Sequence, residues 1–138
     1  MKDFLYIIFF SIFTLISCKK VEGPGGTSKI KGKLKVENYN SQGTVLEGTY
    51  AGADFDVYIM YGDKDSTADE NVKSSVDGSF EFNFLEKGKY TIYIYEDLLP
   101  AIAGASSKKA VIYSTEITKR KTEIDLGEII IKKKWNSI

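Results

Sequence analysis

Two hydrophobic rhythms run along this chain. From Phe4 to Ile16 apolar residues follow one another, interrupted only by Ser11 and Thr14. After residue 28 the period becomes two. In Lys29-Ile30-Lys31-Gly32-Lys33-Leu34-Lys35-Val36 every odd position is lysine and every even one is apolar or glycine. That is a strand with one wet face; a helix would scatter the four lysines around its circumference. Residues 54–61 repeat the alternation, with Phe55, Val57, Ile59 and Tyr61 on one side. A short strand over 72–76 leads into Asp77-Gly78, read as a type I′ hairpin turn with positive φ at both residues. The return strand is expected to turn Phe80, Phe82 and Phe84 inward and Glu81 and Asn83 outward. A turn at Glu86-Lys87-Gly88 opens the next strand, which alternates over 90–95. Beyond a longer loop over 96–109, strands are predicted at 111–117 and 122–131. In the last, Ile124, Leu126, Ile129 and Ile131 share a face only if Gly127-Glu128 forms a bulge. The count is seven strands and no helix of useful length. Turns at this spacing predict an all-β, antiparallel, seven-stranded Greek-key sandwich.

The leading apolar run is too short to span a bilayer as a stable helix, which takes about 20 residues, but it suits the h-region of a signal peptide behind Lys2. It ends in Leu15-Ile16-Ser17-Cys18. These four residues resemble the lipobox of bacterial lipoproteins: an apolar residue at −3, a small one at −1 and an obligatory cysteine. The resemblance implies that Cys18 receives a diacylglycerol, that the leader is cut before it, and that acyl chains anchor the product to a membrane. Lys19 rather than Asp follows the cysteine, which by the same resemblance favours the outer membrane of a Gram-negative envelope. The expected organisation is therefore a signal peptide over 1–17, a lipidated Cys18 with a flexible Gly/Pro spacer over 18–28, a sandwich over 29–132 and a C-terminal tail over 133–138.

Composition narrows the chemistry. Of 138 residues, 19 are Lys or Arg and 19 are Asp or Glu, so the formal charge is zero. Nucleic acid, which calls for a clustered basic surface, is not an expected partner. Histidine is absent. With it go the commonest general base, the commonest metal ligand and every Ser-His or Cys-His pair. No enzyme is expected.

The run Val76-Asp77-Gly78-Ser79-Phe80-Glu81-Phe82, followed by Leu85, Gly88, Tyr90, Ile92 and Ile94, resembles the prealbumin-like (transthyretin-like) sandwiches. These include carboxypeptidase regulatory-like domains and the B-type repeats of collagen-binding adhesins. Ile30 to Leu34 and Ile124 to Ile129 match the first and last strands of that group. The resemblance implies a non-catalytic stalk, adaptor or binding module. The isopeptide crosslink of some adhesin repeats is not expected, since Lys31, Lys33 and Lys35 fall on the wet face and the last strand carries no Asn.

Two side-chain groups invite a ligand. Asp63, Asp65, Asp69 and Glu70 crowd one loop and could offer oxygens to Ca2+, although Ala68 and Ser74 stand where an EF-hand loop needs Gly and Glu; a solvated acidic loop is the alternative. Tyr58, Tyr93 and Tyr95 alternate onto the face opposite Ile59, Ile92 and Ile94. They form either a platform for a sugar ring or protein, or cross-strand pairs that stabilise the sheet. The tail Lys132-Lys133-Lys134-Trp135 could touch an anionic membrane or be a frayed end. Binding, if on loops, is expected at one end of the sandwich, from residues 63–70 and 97–109. The functional expectation is a membrane-anchored envelope lipoprotein acting as a binding or structural module, with an envelope protein or a glycan as partner; the alternative is a glycan-binding surface lipoprotein of a nutrient-uptake system.

Overall fold

The computed structural model describes residues 21–63, 67–100 and 107–135. Cys18 and the leader lie outside them. Eight strands form among the described residues: β1 Pro24–Tyr39, β2 Leu46–Ala51, β3 Asp56–Tyr61, β4 Glu70–Lys73, β5 Ser79–Leu85, β6 Gly88–Asp97, β7 Lys108–Ile117 and β8 Glu123–Lys134. They make two four-stranded sheets. In the first, β1 is flanked by β8 on one edge and by β5 and then β2 on the other. The second has the order β4-β3-β6-β7. Antiparallel pairing holds for every pair except β1–β8, which is parallel.

The alternation of β1 does what its pattern predicts. Ile30, Leu34 and Val36 are fully buried while the lysines between them reach solvent. Gly32 takes the remaining inward position because the Phe80 ring fills that space; a Cβ there would stand 2.7 Å from the ring. Val57, Ile59, Phe82, Tyr90, Ile92, Ile94, Ile129 and Ile131 complete the core from both sheets. The bulge in β8 is present. Lys31 pairs with Asp125 and Lys33 with Glu128, and the Gly127 N–H donates to Asp125 Oδ1 at 2.8 Å.

Several expectations need correction. The eighth strand, β2, is exposed at all six positions, so it has no inward set to betray it; backbone pairing with β1 alone defines it. Asp77-Gly78 is not a type I′ hairpin. Only Gly78 has positive φ, its N–H bonds to Ser75 O at 2.8 Å, and the turn carries the chain from β4 in one sheet to β5 in the other. Phe84 does not face the core. It is 72% exposed at φ 59°, because a bulge hands the inward position to Leu85, which is 1% exposed.

The segment 24–28, expected to be tether, is the start of β1. Gly23 just before it is tied down by the buried Tyr90. The Tyr90 hydroxyl accepts from the Gly23 N–H at 3.1 Å and donates to Glu86 O at 2.7 Å, while the Glu86 N–H donates to Gly23 O at 2.9 Å. At the other end β8 continues to Lys134, and the Trp135 N–H donates to Tyr39 O at 2.8 Å, so the sandwich extends past the expected limit at 132. The outermost N–H groups of β8 are capped by carboxylates from β6: Lys132 N–H by the buried Glu96 at 2.9 Å, and Lys134 N–H by Asp97 at 2.8 Å. Glu96 also meets Lys109 Nζ at 3.0 Å.

Tyr90→Phe should cost about 1–3 kcal/mol in urea unfolding, since it strands a buried donor and acceptor. Burial raises the Tyr90 phenol above its usual value of 10.0. The folded state therefore resists its ionisation. The stability this group contributes is full below the unfolded-state pKa and declines as pH rises beyond it. Phe84→Gly should raise stability by roughly 1 kcal/mol by relieving the left-handed backbone; a lower urea midpoint would show that the ring holds the fold.

Candidate ligand-binding face

The outer faces of the two sheets differ in kind. On the first, lysines of β1 interleave with acids of β5 and β8. Lys29 reaches Glu81 at 3.0 Å and Glu123 at 3.1 Å, Lys31 pairs with Glu123 and Asp125, and Lys35 meets Glu128 at 3.4 Å. Hydrogen bonds donated to the acids hold the Lys29 and Lys31 ammonium groups above their ordinary pKa, and those received from the two lysines lower the Glu123 carboxyl. This ladder is self-neutralised and solvated.

The second sheet carries an aromatic face. Cross-strand pairing sets Asn71, Tyr58, Tyr93 and Ile112 in one row across β4, β3, β6 and β7. Tyr95 and Ala110 form part of the next. Tyr58 and Tyr93 stack with ring centroids 5.0 Å apart and planes 12° from parallel. Tyr95 stands edge-on to both, at 5.8 and 5.6 Å. All three predicted tyrosines thus come together. They line an open concavity of about 1000 Å³ whose rim includes Asp69, Glu70 and Asn71. Ile112, 62% exposed, and Tyr95, 46% exposed, give it apolar surface. Burial raises the Tyr93 phenol, and the Ala68 backbone hydrogen-bonds to it from the rim. Such a face can pack against C–H surface while hydroxyls, carboxylates and an amide satisfy polar groups around it.

The acidic loop does not converge. Asp63 Oδ2 accepts from Lys89 Nζ at 2.6 Å, Asp69 Oδ2 from the Tyr61 N–H at 2.7 Å, and Glu70 Oε2 from the Tyr61 hydroxyl at 2.6 Å. Burial and the Glu70 carboxylate push the Tyr61 phenol far above its ordinary range. Asp65 lies outside the described residues. Among the described residues no three His, Cys, Asp or Glu side chains gather to hold a metal. Asp69 and Glu70 serve instead as part of the rim beside the tyrosines.

The expectation that loops 63–70 and 97–109 share one end is also corrected. The first follows Tyr61, which pairs with Tyr90 near the start of β6, whereas the second begins at the far end of that strand. Lys132 and Lys133 belong to the distant end, each over an aromatic ring, of Tyr39 and Phe55 respectively. Ile112, Met60 and Asn71 were not singled out from the sequence. The alternation of β7 could have placed Ile112 outward; Asn71 and Met60 gain meaning only once β4 and β3 are paired.

No protein-family model matches the chain. No curated protein matches it either. Among solved structures it is similar to the crystal structure of a candidate carbohydrate binding protein from Pseudomonas aeruginosa, at 12% identity, a TM-score of 0.47, and coverage of 80% of this chain and 91% of that one. The likeness is distant and carries no function across.

Tyr93→Ala removes both the stacked and the edge-on partner. A loss of about 1–3 kcal/mol is expected in thermal or urea unfolding, from two aromatic pairs at about 0.5–1.5 kcal/mol each; an unchanged midpoint would mean that the rings contribute nothing to the sheet.

Proposed function

We propose that this chain is a non-catalytic binding module of a bacterial envelope, tethered through lipid on Cys18, whose tyrosine face takes a saccharide. The lipobox-like Leu15-Ile16-Ser17-Cys18 supports the tether, Lys19 after it supports an outer-membrane address, and the prealbumin-like strand pattern supports an accessory module. The observation that carries the ligand class is the meeting of Tyr58, Tyr93 and Tyr95 over one open concavity with a carboxylate and amide rim. Tyr95 and Ile112 supply the exposed apolar surface for a sugar's C–H face, and Asp69, Glu70 and Asn71 stand where ring hydroxyls would meet them.

The test is a glycan array with the purified protein, followed by calorimetric titration of any saccharide retained. Tyr95→Ala should weaken binding by about tenfold, the scale of one aromatic contact, and Ile112→Asp should weaken it similarly. An array with no retained saccharide, or affinities untouched by both substitutions, would overturn the sugar reading. Retention of an envelope protein instead, lost on Ile112→Asp, would assign the face to that partner.

A further inference from the structure

Tyr90 and Glu86 fix Gly23 to the sandwich: its N–H donates to the Tyr90 hydroxyl, its carbonyl accepts from the Glu86 N–H, and the Tyr90 hydroxyl donates to Glu86 O. Only four residues separate Gly23 from Cys18. At about 3.3–3.6 Å per residue, the Cα atoms of residues 18 and 23 can stand no more than about 18 Å apart. A chain lipidated at Cys18 has no long leash, so the end of the sandwich carrying Gly23 must lie close to the bilayer. This step rests on the tether proposed above.

That end has the surface such a position calls for. Phe84 projects from it, 72% exposed and held at φ 59°. It shares a concavity with Lys121, and the Lys121 N–H donates to Thr27 Oγ1 at 3.2 Å, beside the start of β1. Lys119, Arg120 and Lys121 form the exposed β7–β8 turn, and Lys87 lies in the neighbouring β5–β6 turn, where Gly88 pairs with Ile117. Among the described residues these four cations have no ion-pair partner. The acids at this end are taken by other lysines: Asp63, Glu116 and Glu22 surround Lys89, and Glu123, which lines the same concavity, is paired with Lys29 and Lys31. A bulky ring in a conformation that disfavours it, 72% in water and beside unpaired cations, gains nothing from the fold itself. Both features suit an interface with anionic headgroups, where a ring enters the acyl boundary and cations stay with the phosphates.

We infer that the end of the sandwich bearing Phe84 and Lys119-Arg120-Lys121 docks on an anionic phospholipid surface, which orients the domain on the membrane. The tyrosine face then stands roughly along the membrane normal, and Leu98, Ser107 and Trp135 lie at the end away from the lipid.

The full-length lipidated protein, labelled with a fluorophore through Thr118→Cys or Ser41→Cys, is reconstituted into two kinds of vesicle. One contains phosphatidylcholine alone; the other contains equal parts of phosphatidylcholine and phosphatidylglycerol. Both carry a lipid-borne quencher. Quenching at 118 should exceed that at 41 several-fold in the anionic vesicles, and the difference should shrink in the neutral ones and at high salt. Neutralising residues 119–121 to Gln should lower the docked-to-undocked ratio about fivefold per cation removed. Phe84→Gly should reduce docking with no loss of thermal stability. Equal quenching at both labels on vesicle-bound, acylated protein overturns the orientation and leaves the tether standing. A native product without acyl mass that fails to bind vesicles overturns the tether and the orientation together.

Discussion

One strand holds this molecule together. β1 is hydrogen-bonded along both edges, to β8 on one side and to β5 and β2 in succession on the other. The handover occurs at Leu34, whose N–H bonds to Gly78 O at 2.8 Å and whose carbonyl accepts from Gly52 N at 2.9 Å. A side chain on Gly78 would meet the Leu34 carbonyl at 2.2 Å, so that junction needs a residue with no Cβ and a positive φ. With both edges used, β1 offers no free ladder to solvent, and its inward residues set the register for three partners at once. A one-residue slip would turn four lysines into the core.

The two sheets are joined at both ends by polar contacts as well as by the core. Near the N-terminus the Tyr90 hydroxyl is fully used by backbone groups. Near the C-terminus Glu96 occupies the next inward position of the same strand, after Ile92 and Ile94, and caps the edge of β8. Both are buried groups with satisfied partners, the condition under which polar atoms inside a sandwich specify its geometry without destabilising it. β6 thus presents Tyr90, Ile92, Ile94 and Glu96 inward and Tyr93 and Tyr95 outward, so one strand contributes to the core, the closure and the candidate ligand face.

The contrast between the outer faces follows from which residues alternate. On β1 the outward positions are lysines matched by acids on the flanking strands, and the charges cancel locally. On β3, β6 and β7 they include Tyr, Met and Ile, whose burial in a monomer is incomplete. Apolar surface left on a soluble sheet is where a partner of similar character finds purchase. The carboxylates at its rim are already oriented by the Tyr61 N–H and hydroxyl, so the ligand proposed for this face would find them with little further ordering.

The sequence by itself determined the all-β class, the inward face of β1, β3 and β6, the bulge at Gly127, and the grouping of Tyr58, Tyr93 and Tyr95. Each of these is written in a period of two, and a period of two is local. Only the tertiary structure decided which strands are neighbours, that Asp77-Gly78 crosses between sheets, that β2 exists, and that Leu85 displaces Phe84 from the core. Pairing partners and bulge positions depend on backbone groups far apart in the chain, and backbone groups are the same in every residue; no alternation of side chains records where their hydrogen bonds go.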